Sequence, residues 1–180
     1  MPPSLTLVIG PARSGKSEWA ETLAHQSNLP VIYIATARTN PKDPEWEQRL
    51  QQHRQRRPAH WQTLEVPLYL AESLRSAMPQ TCLLVDSLGT WLANLLDQDQ
   101  AQWEQTLADF LASLAVTPAQ VILVAEEVGW GVVPAYPLGR TFRDRLGSLV
   151  RHIGTIAQPV YLVTGGHVLN LSALGTPLTP

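Results

Sequence analysis

Gly10-Pro11-Ala12-Arg13-Ser14-Gly15-Lys16-Ser17 follows the apolar run LTLVIG (5–10) and leads into SGKSEWAETLAHQ (14–26), a segment with helical spacing. Strand, glycine-bearing loop and helix in that order give the pattern G-x-x-x-x-G-K-[ST] its physical meaning. Gly10 and Gly15 allow the backbone to wrap closely around an anion, so that successive N–H groups and the helix N-terminus point at phosphate oxygens. Lys16 is expected to reach the terminal phosphates, and Ser17 to offer its hydroxyl to Mg²⁺. Arg13 either adds a second cation to the phosphates or sits in solvent.

Working outward, the same kind of short Val/Ile/Leu run recurs as VIYIA (31–35), CLLVD (82–86), VILVA (121–125) and VYLVT (160–164), with a shorter strand around Gln62 to Glu65. Between these runs lie DPEWEQRLQQHR, LYLAESLRSAM, LGTWLANLLD, WEQTLADFLASLA and TFRDRLGSLVRHIG, all with helical periodicity. Buried strands alternating with helices require crossover connections. The expected fold is therefore α/β and P-loop NTPase-like, a mostly parallel sheet with helices on both faces. The polar stretch DQDQAQWEQ (97–105) reads as a surface loop entering a helix, and residues 165–180 as an uncharged tail on the surface or against a neighbouring subunit.

The chain has 180 residues, expected to form a single nucleotide-binding catalytic domain over 1–180, and 44% of them are hydrophobic. Its formal net charge of −2 argues against a protein that coats nucleic acid or an anionic membrane. Cys82 is the sole cysteine, so no internal disulfide can form and no oxidising compartment is required. No apolar stretch approaches the ~20 residues of a membrane span, and the N-terminus lacks the marks of a signal peptide. A cytoplasmic location is expected.

A phosphate loop calls for a carboxylate at the end of another buried strand. Asp86, closing CLLVD, suits the role of holding Mg²⁺, although Asp86-Ser87 also precedes a helix and either residue could be its N-cap. The stretch QQHRQRRPAHW (51–61) crowds Arg54, Arg56 and Arg57 around His53. An imidazole attacks phosphorus only when neutral; nearby guanidinium groups disfavour a second positive charge and stabilise a departing pyrophosphate. Two other readings stand beside that one: a solvated helix whose basic end complements its own dipole, and a patch for a nucleic-acid backbone. His60, followed by Trp61, reads equally as a packed residue at a strand start or as a catalytic one.

The phosphate loop GPARSGKS, the strand VIYIATA, the pattern D-P-E-W-x-x-R-L-x-x-H-R-x-x-R-P-x-x-W-x-T-x-E, VDSLGTWLANLL and EVGWGVVPAYPLGRTFRDRLG occur together and in order. In these the chain resembles the bifunctional adenosylcobinamide kinase / adenosylcobinamide-phosphate guanylyltransferase family of cobalamin biosynthesis, over nearly everything from residue 5 to about 164. The resemblance implies phosphorylation of the aminopropanol hydroxyl of adenosylcobinamide with ATP or GTP. It then implies transfer of GMP from GTP, through a GMP-histidine intermediate, to the resulting phosphate, giving adenosylcobinamide-GDP and pyrophosphate. The histidine that aligns is His53; His60 is not carried over.

The resemblance also implies nucleotide contacts at Gly10 to Ser17, at Thr36, Ala37 and Arg38, at Arg54, Gln55, Arg56 and Arg57, at Glu65 and at Asp86, with Ser17 and Asp86 on Mg²⁺. Glu65 has the acceptor oxygens to meet the guanine N1–H and amino group, a pattern adenine does not offer. A homotrimer is implied, and no nucleic-acid partner. The loop EVGWGVVP (127–134) is expected on the corrinoid side, Gly129 and Gly131 allowing close backbone approach. The chain departs from the family pattern at Glu126, where asparagine is usual, at Val150-Arg151 in place of an Asn-Gln pair, and at Trp46 in place of methionine. These departures touch corrinoid or subunit contacts rather than the nucleotide residues. The alternative is a single-activity P-loop kinase, or a nucleotide-dependent regulator, without covalent histidine chemistry.

Overall fold

In the computed structural model, which describes residues 4–178, one seven-stranded sheet runs in the order β3-β2-β4-β5-β1-β6-β7. The strands are β1 (Leu5–Gly10), β2 (Val31–Ala35), β3 (Gln62–Glu65), β4 (Cys82–Asp86), β5 (Gln120–Glu126), β6 (Val160–Thr164) and β7 (His167–Asn170). The first six are parallel, and only β7 pairs antiparallel, with β6. The helices are α1 (Lys16–Gln26), α2 (Pro44–Arg56), α3 (Leu70–Arg75), α4 (Leu88–Ala93), α5 (Gln100–Val116), α6 (Pro137–Ile156) and α7 (Leu171–Leu174).

Side chains alternate between the two faces of the central strands, as the pleat demands. Leu5, Leu7, Leu83, Val85, Val121, Leu123 and Ala125 join one core with residues of α3, α4, α5 and α6. Val8, Tyr33, Cys82, Leu84, Ile122 and Val124 join the other with Ala20 and Ala24 of α1 and with Trp61. Burial of both faces explains why β1, β4 and β5 read as continuous apolar runs rather than alternating ones. Burial also pushes the Cys82 thiol up to about 11. Among the described residues, no helix is long and apolar enough to cross a membrane.

Since six strands are parallel, their carboxyl ends share one edge, and Gly10, Ala35, Glu65, Asp86, Glu126 and Thr164 all finish there. Open α/β sheets bind ligands at that edge. β5 lies between β1 and β4, separating the phosphate-loop strand from the Asp86 strand by two strand spacings, about 10 Å.

Three sequence expectations change. The loop expected over 97–105 is shorter, because Asp99 caps α5: its side chain accepts from the Gln102 N–H, and the Gln102 side chain returns to the Asp99 N–H. Helix α6 starts at Pro137, four residues before the expected TFRDRLG run; a proline there loses no helical hydrogen bond. The tail expected over 165–180 carries secondary structure that was not foreseen: it pairs as β7 and turns into α7, while its last two residues, like residues 1–3, lie outside the described residues. The short strand around Gln62 to Glu65 is present as the exposed edge strand β3.

Candidate active site

The loop after β1 has the backbone its glycines predict. Gly15 takes a left-handed φ of 92° as the N-cap of α1, and Arg13 a φ of 57°. A β-carbon at Gly10 would collide with the Val163 carbonyl, so glycine is required by the close passage of β6. Lys16 is buried and donates to the Pro11 carbonyl at 3.2 Å, which keeps its ammonium inside the loop. Ser14 Oγ is buried with no hydrogen-bond partner among the described residues. An orphan hydroxyl is costly unless a ligand satisfies it, so the loop fits an anion. Pro11 and Ser17 are half-buried, while Ala12 and Arg13 are exposed.

At the end of β4, the cap ambiguity resolves in favour of Ser87. Its hydroxyl accepts from the Thr90 N–H in a reciprocal capping box on α4, which leaves Asp86 out of the cap. The Asp86 side chain is 9% exposed, and its Oδ2 accepts from the buried Tyr33 hydroxyl at 2.8 Å. Burial, and next the Asp86 charge, push the Tyr33 phenol well above its ordinary range, so it stays a donor. Thr36, fully buried at the end of β2, donates from Oγ1 to the Ser87 carbonyl at 2.7 Å and accepts from the Ser87 N–H at 3.0 Å. Its hydroxyl therefore holds the Asp86–Ser87 junction, while Ala37 is half-buried and Arg38 exposed beyond it. Glu126 accepts from Ser87 Oγ at 2.5 Å and from the Gly89 N–H at 3.0 Å. Both of its oxygens are engaged at the N-terminus of α4.

Helix α2 carries the basic segment. Asp43 caps it by accepting from the Trp46 N–H, Pro44 occupies the first turn, Glu45 and Glu47 lie at the positive end of the dipole, and His53, Arg54 and Arg56 at the negative end. None of its residues is buried. Polar and charged contacts bind its C-terminal turn to the site. His53 Nδ1 lies 3.9 Å from Asp86 Oδ2, Arg54 pairs with Glu65 at 2.9 Å, and Arg56 bridges Glu18 at 2.8 Å and Glu21 at 2.9 Å, both on α1. Burial raises the Glu21 carboxyl, against the opposing pull of Arg56. Burial alone would lower Arg56, but its hydrogen bond and charge pairing with Glu21 leave it raised. Arg57 lies over the Tyr33 ring, 3.5 Å from its centroid. Arg54, Arg57, Trp61, Thr63 and Glu65 line a cavity of about 470 Å³. Gln55 faces solvent.

The fold thus gathers His53, Arg56, Arg57, Asp86 and the flank of α1 into one cluster, with Arg54 and Glu65 on its rim. His60 is exposed and stands beside His25, ring centroids 6.4 Å apart, while Trp61 packs in the core. The loop from Glu127 exposes Trp130, Val132, Val133 and Tyr136, with Arg143 donating to the Gly129 carbonyl at 2.8 Å. Trp46 Nε1 donates to the Arg38 carbonyl, tying α2 to the segment after β2. Sequence reasoning missed Tyr33, Glu18 and Glu21 as partners in this cluster, and read Ser87 only as a candidate helix cap. The one available signal was a hydroxyl-bearing side chain inside the otherwise apolar strand VIYIA.

Comparison with known proteins bears on this cluster. Residues 6–171 match the profile of the family described as Cobinamide kinase / cobinamide phosphate guanyltransferase. The chain is 45% identical over 174 residues to the bifunctional adenosylcobalamin biosynthesis protein CobP of Pseudomonas aeruginosa, covering 96% of this chain and 98% of that one. It is 38% identical over 177 residues to the bifunctional adenosylcobalamin biosynthesis protein CobU of Escherichia coli, covering 90% of this chain and 96% of that one. Among solved structures, a Pyrococcus horikoshii OT3 protein superimposes with TM-score 0.59 at 7% identity, covering 99% of this chain and 94% of that one, a likeness of fold alone.

Proposed function

The chain belongs to the cobinamide kinase / cobinamide phosphate guanyltransferase family, and on that premise we propose that its carboxyl-edge cluster carries out two phosphorus transfers on one substrate arm. As a bifunctional adenosylcobinamide kinase and guanylyltransferase, it phosphorylates the aminopropanol hydroxyl of adenosylcobinamide and then adds GMP to that phosphate. ATP or GTP supplies the first phosphoryl group, and GTP supplies the GMP.

In the first step Gly10 to Ser17 hold the triphosphate, the backbone N–H groups and Lys16 balancing its charge. The hydroxyl oxygen displaces the nucleoside diphosphate from the γ-phosphorus, and its proton leaves to solvent or a nearby acceptor. Glu126 is a poor choice of base, because both of its oxygens already accept hydrogen bonds. In the second step a nitrogen of neutral His53 attacks the α-phosphorus of GTP. A P–N bond forms as the bond to the bridging oxygen breaks, and pyrophosphate leaves against Arg56 and Arg57. The substrate phosphate oxygen then attacks the same phosphorus, the P–N bond breaks, and the imidazole recovers its electron pair.

Ser17 and Asp86 offer hard oxygen donors, and no hydrogen bond among the described residues reaches Asp86 Oδ1, so these residues fit Mg²⁺. Bound there, the ion would neutralise charge on the phosphates. Arg54 and Glu65 would frame the guanine base. Exposed Trp130, Val132, Val133 and Tyr136 favour the loop after β5 for an apolar corrinoid face or for contact within a homotrimer. A single domain in the cytoplasm completes the proposal.

The observation that carries this reading is the 3.9 Å approach of His53 to Asp86 at the edge shared with the phosphate loop. Mass spectrometry of adenosylcobinamide incubated with the protein, GTP and Mg²⁺ tests it. The expected products gain one phosphate and then GMP; a phosphate gain that never proceeds to the GMP adduct contradicts it.

A further inference from the structure

Tyr33 occupies the middle of β2, 1% exposed, on the sheet face shared with Leu84 and Val124. Register pairs it with Leu84, so Asp86, two residues on, is its diagonal neighbour on the same face. Phenylalanine would fill this volume without a hydroxyl to satisfy, so tyrosine here demands a partner. The partner is Asp86 Oδ2, at 2.8 Å, the same oxygen that lies 3.9 Å from His53 Nδ1. The ring itself receives the Arg57 guanidinium over its face. The Arg57 side chain has few other ties among the described residues: its Nε is buried without a partner, and its single side-chain hydrogen bond, to Thr63, is long at 3.4 Å. Arg57 is the C-cap of α2, one helical turn after His53.

We propose that Tyr33 is a positioning residue for the guanylyl step, its hydroxyl fixing the carboxylate oxygen that faces His53 while its ring seats the end of the helix that carries His53. A single rigid side chain thereby sets the separation between a helix-borne nucleophile and a strand-borne carboxylate. The inference rests on the reading of His53 as the GMP carrier. It makes the two transfers unequally sensitive to Tyr33, because phosphoryl transfer does not use the imidazole.

The test is single-turnover capture of α-labelled GTP on the protein, run beside phosphorylation of adenosylcobinamide, for wild type, Tyr33→Phe and Tyr33→Leu. Tyr33→Phe keeps the ring, so the capture rate should fall about tenfold, an effect of misplacement rather than of lost binding. Phosphorylation meets Asp86 only as a donor to Mg²⁺, so its rate and the GTP concentration at half-saturation should change by about threefold at most, well short of the loss in capture. Tyr33→Leu also removes the seat for Arg57, so the half-saturating GTP concentration should rise as well. Should Tyr33→Leu fail to fold, Tyr33→Phe alone decides. Capture by Tyr33→Phe at the wild-type rate, or equal losses in both transfers, overturns the proposal and leaves the histidine reading intact. No label on wild type overturns both.

Discussion

A β-carbon at Gly10 would run into the Val163 carbonyl oxygen and stand 2.6 Å from Ser14 Oγ. The first obstacle is backbone of the neighbouring strand and cannot swing aside. Gly10→Ala should therefore cost about 1–3 kcal/mol of stability, as overpacking does, and weaken GTP binding at least tenfold by pushing the loop off its wrap. Thermal unfolding and calorimetric titration with GTP check this, and unchanged affinity would mean that the loop does not hold the nucleotide. Such a residue was legible because its motif is local: Gly10, Gly15 and Lys16 announce themselves within eight positions, although the approach of Val163 does not. Tyr33 and Thr36 were not, since their partners Asp86 and Ser87 lie 53 and 51 residues away and only the strand order brings them together. Thr36 reads as a nucleotide contact by resemblance, yet its hydroxyl is used on the Asp86–Ser87 junction.

At the scale of elements, α2 was readable as a helix from the spacing of DPEWEQRLQQHR, but its docking was not, since charge spacing is the same on a solvated helix and on one paired across a site. The structure joins the two alternatives: α2 buries none of its residues, and its ion pairs reach carboxylates on α1 and β3. Partly exposed pairs of this kind contribute about 0.2–1 kcal/mol each and weaken in salt. Helix α2 is therefore expected to open well before the sheet. Hydrogen exchange should show its amides exchanging by local opening, faster in about 0.5 M NaCl, with a Debye length near 4 Å, while β1, β4 and β5 remain protected. Protection of α2 equal to that of β4 and indifferent to salt would contradict charge-held docking.

For the whole molecule, alternation of apolar runs with helical segments was enough to foresee a mostly parallel sheet, because burial on both faces leaves that pattern in each strand separately. The order β3-β2-β4-β5-β1-β6-β7 was beyond reach, as it depends on which crossovers pack together. One signal was passed over. Gly165 and Gly166, both at positive φ, make the two-residue turn that folds the tail back as β7, and Gly-Gly between strand-forming runs is a hairpin mark. The strand order has a functional consequence: with β5 between the phosphate-loop strand and the Asp86 strand, α2 can lay His53 against Asp86 while its Arg56 reaches α1, whose first residue is Lys16. Everything proposed for the second transfer depends on His53 carrying GMP. The most direct measurement is the mass of the intact protein after incubation with GTP and Mg²⁺, quenched in alkali, with peptide mapping of the modified form. The account predicts a GMP adduct on the peptide holding His53, lost on mild acid treatment and absent from His53→Ala. An unmodified wild-type chain that still converts adenosylcobinamide phosphate to its GDP form, or an adduct mapped to another residue, would contradict it.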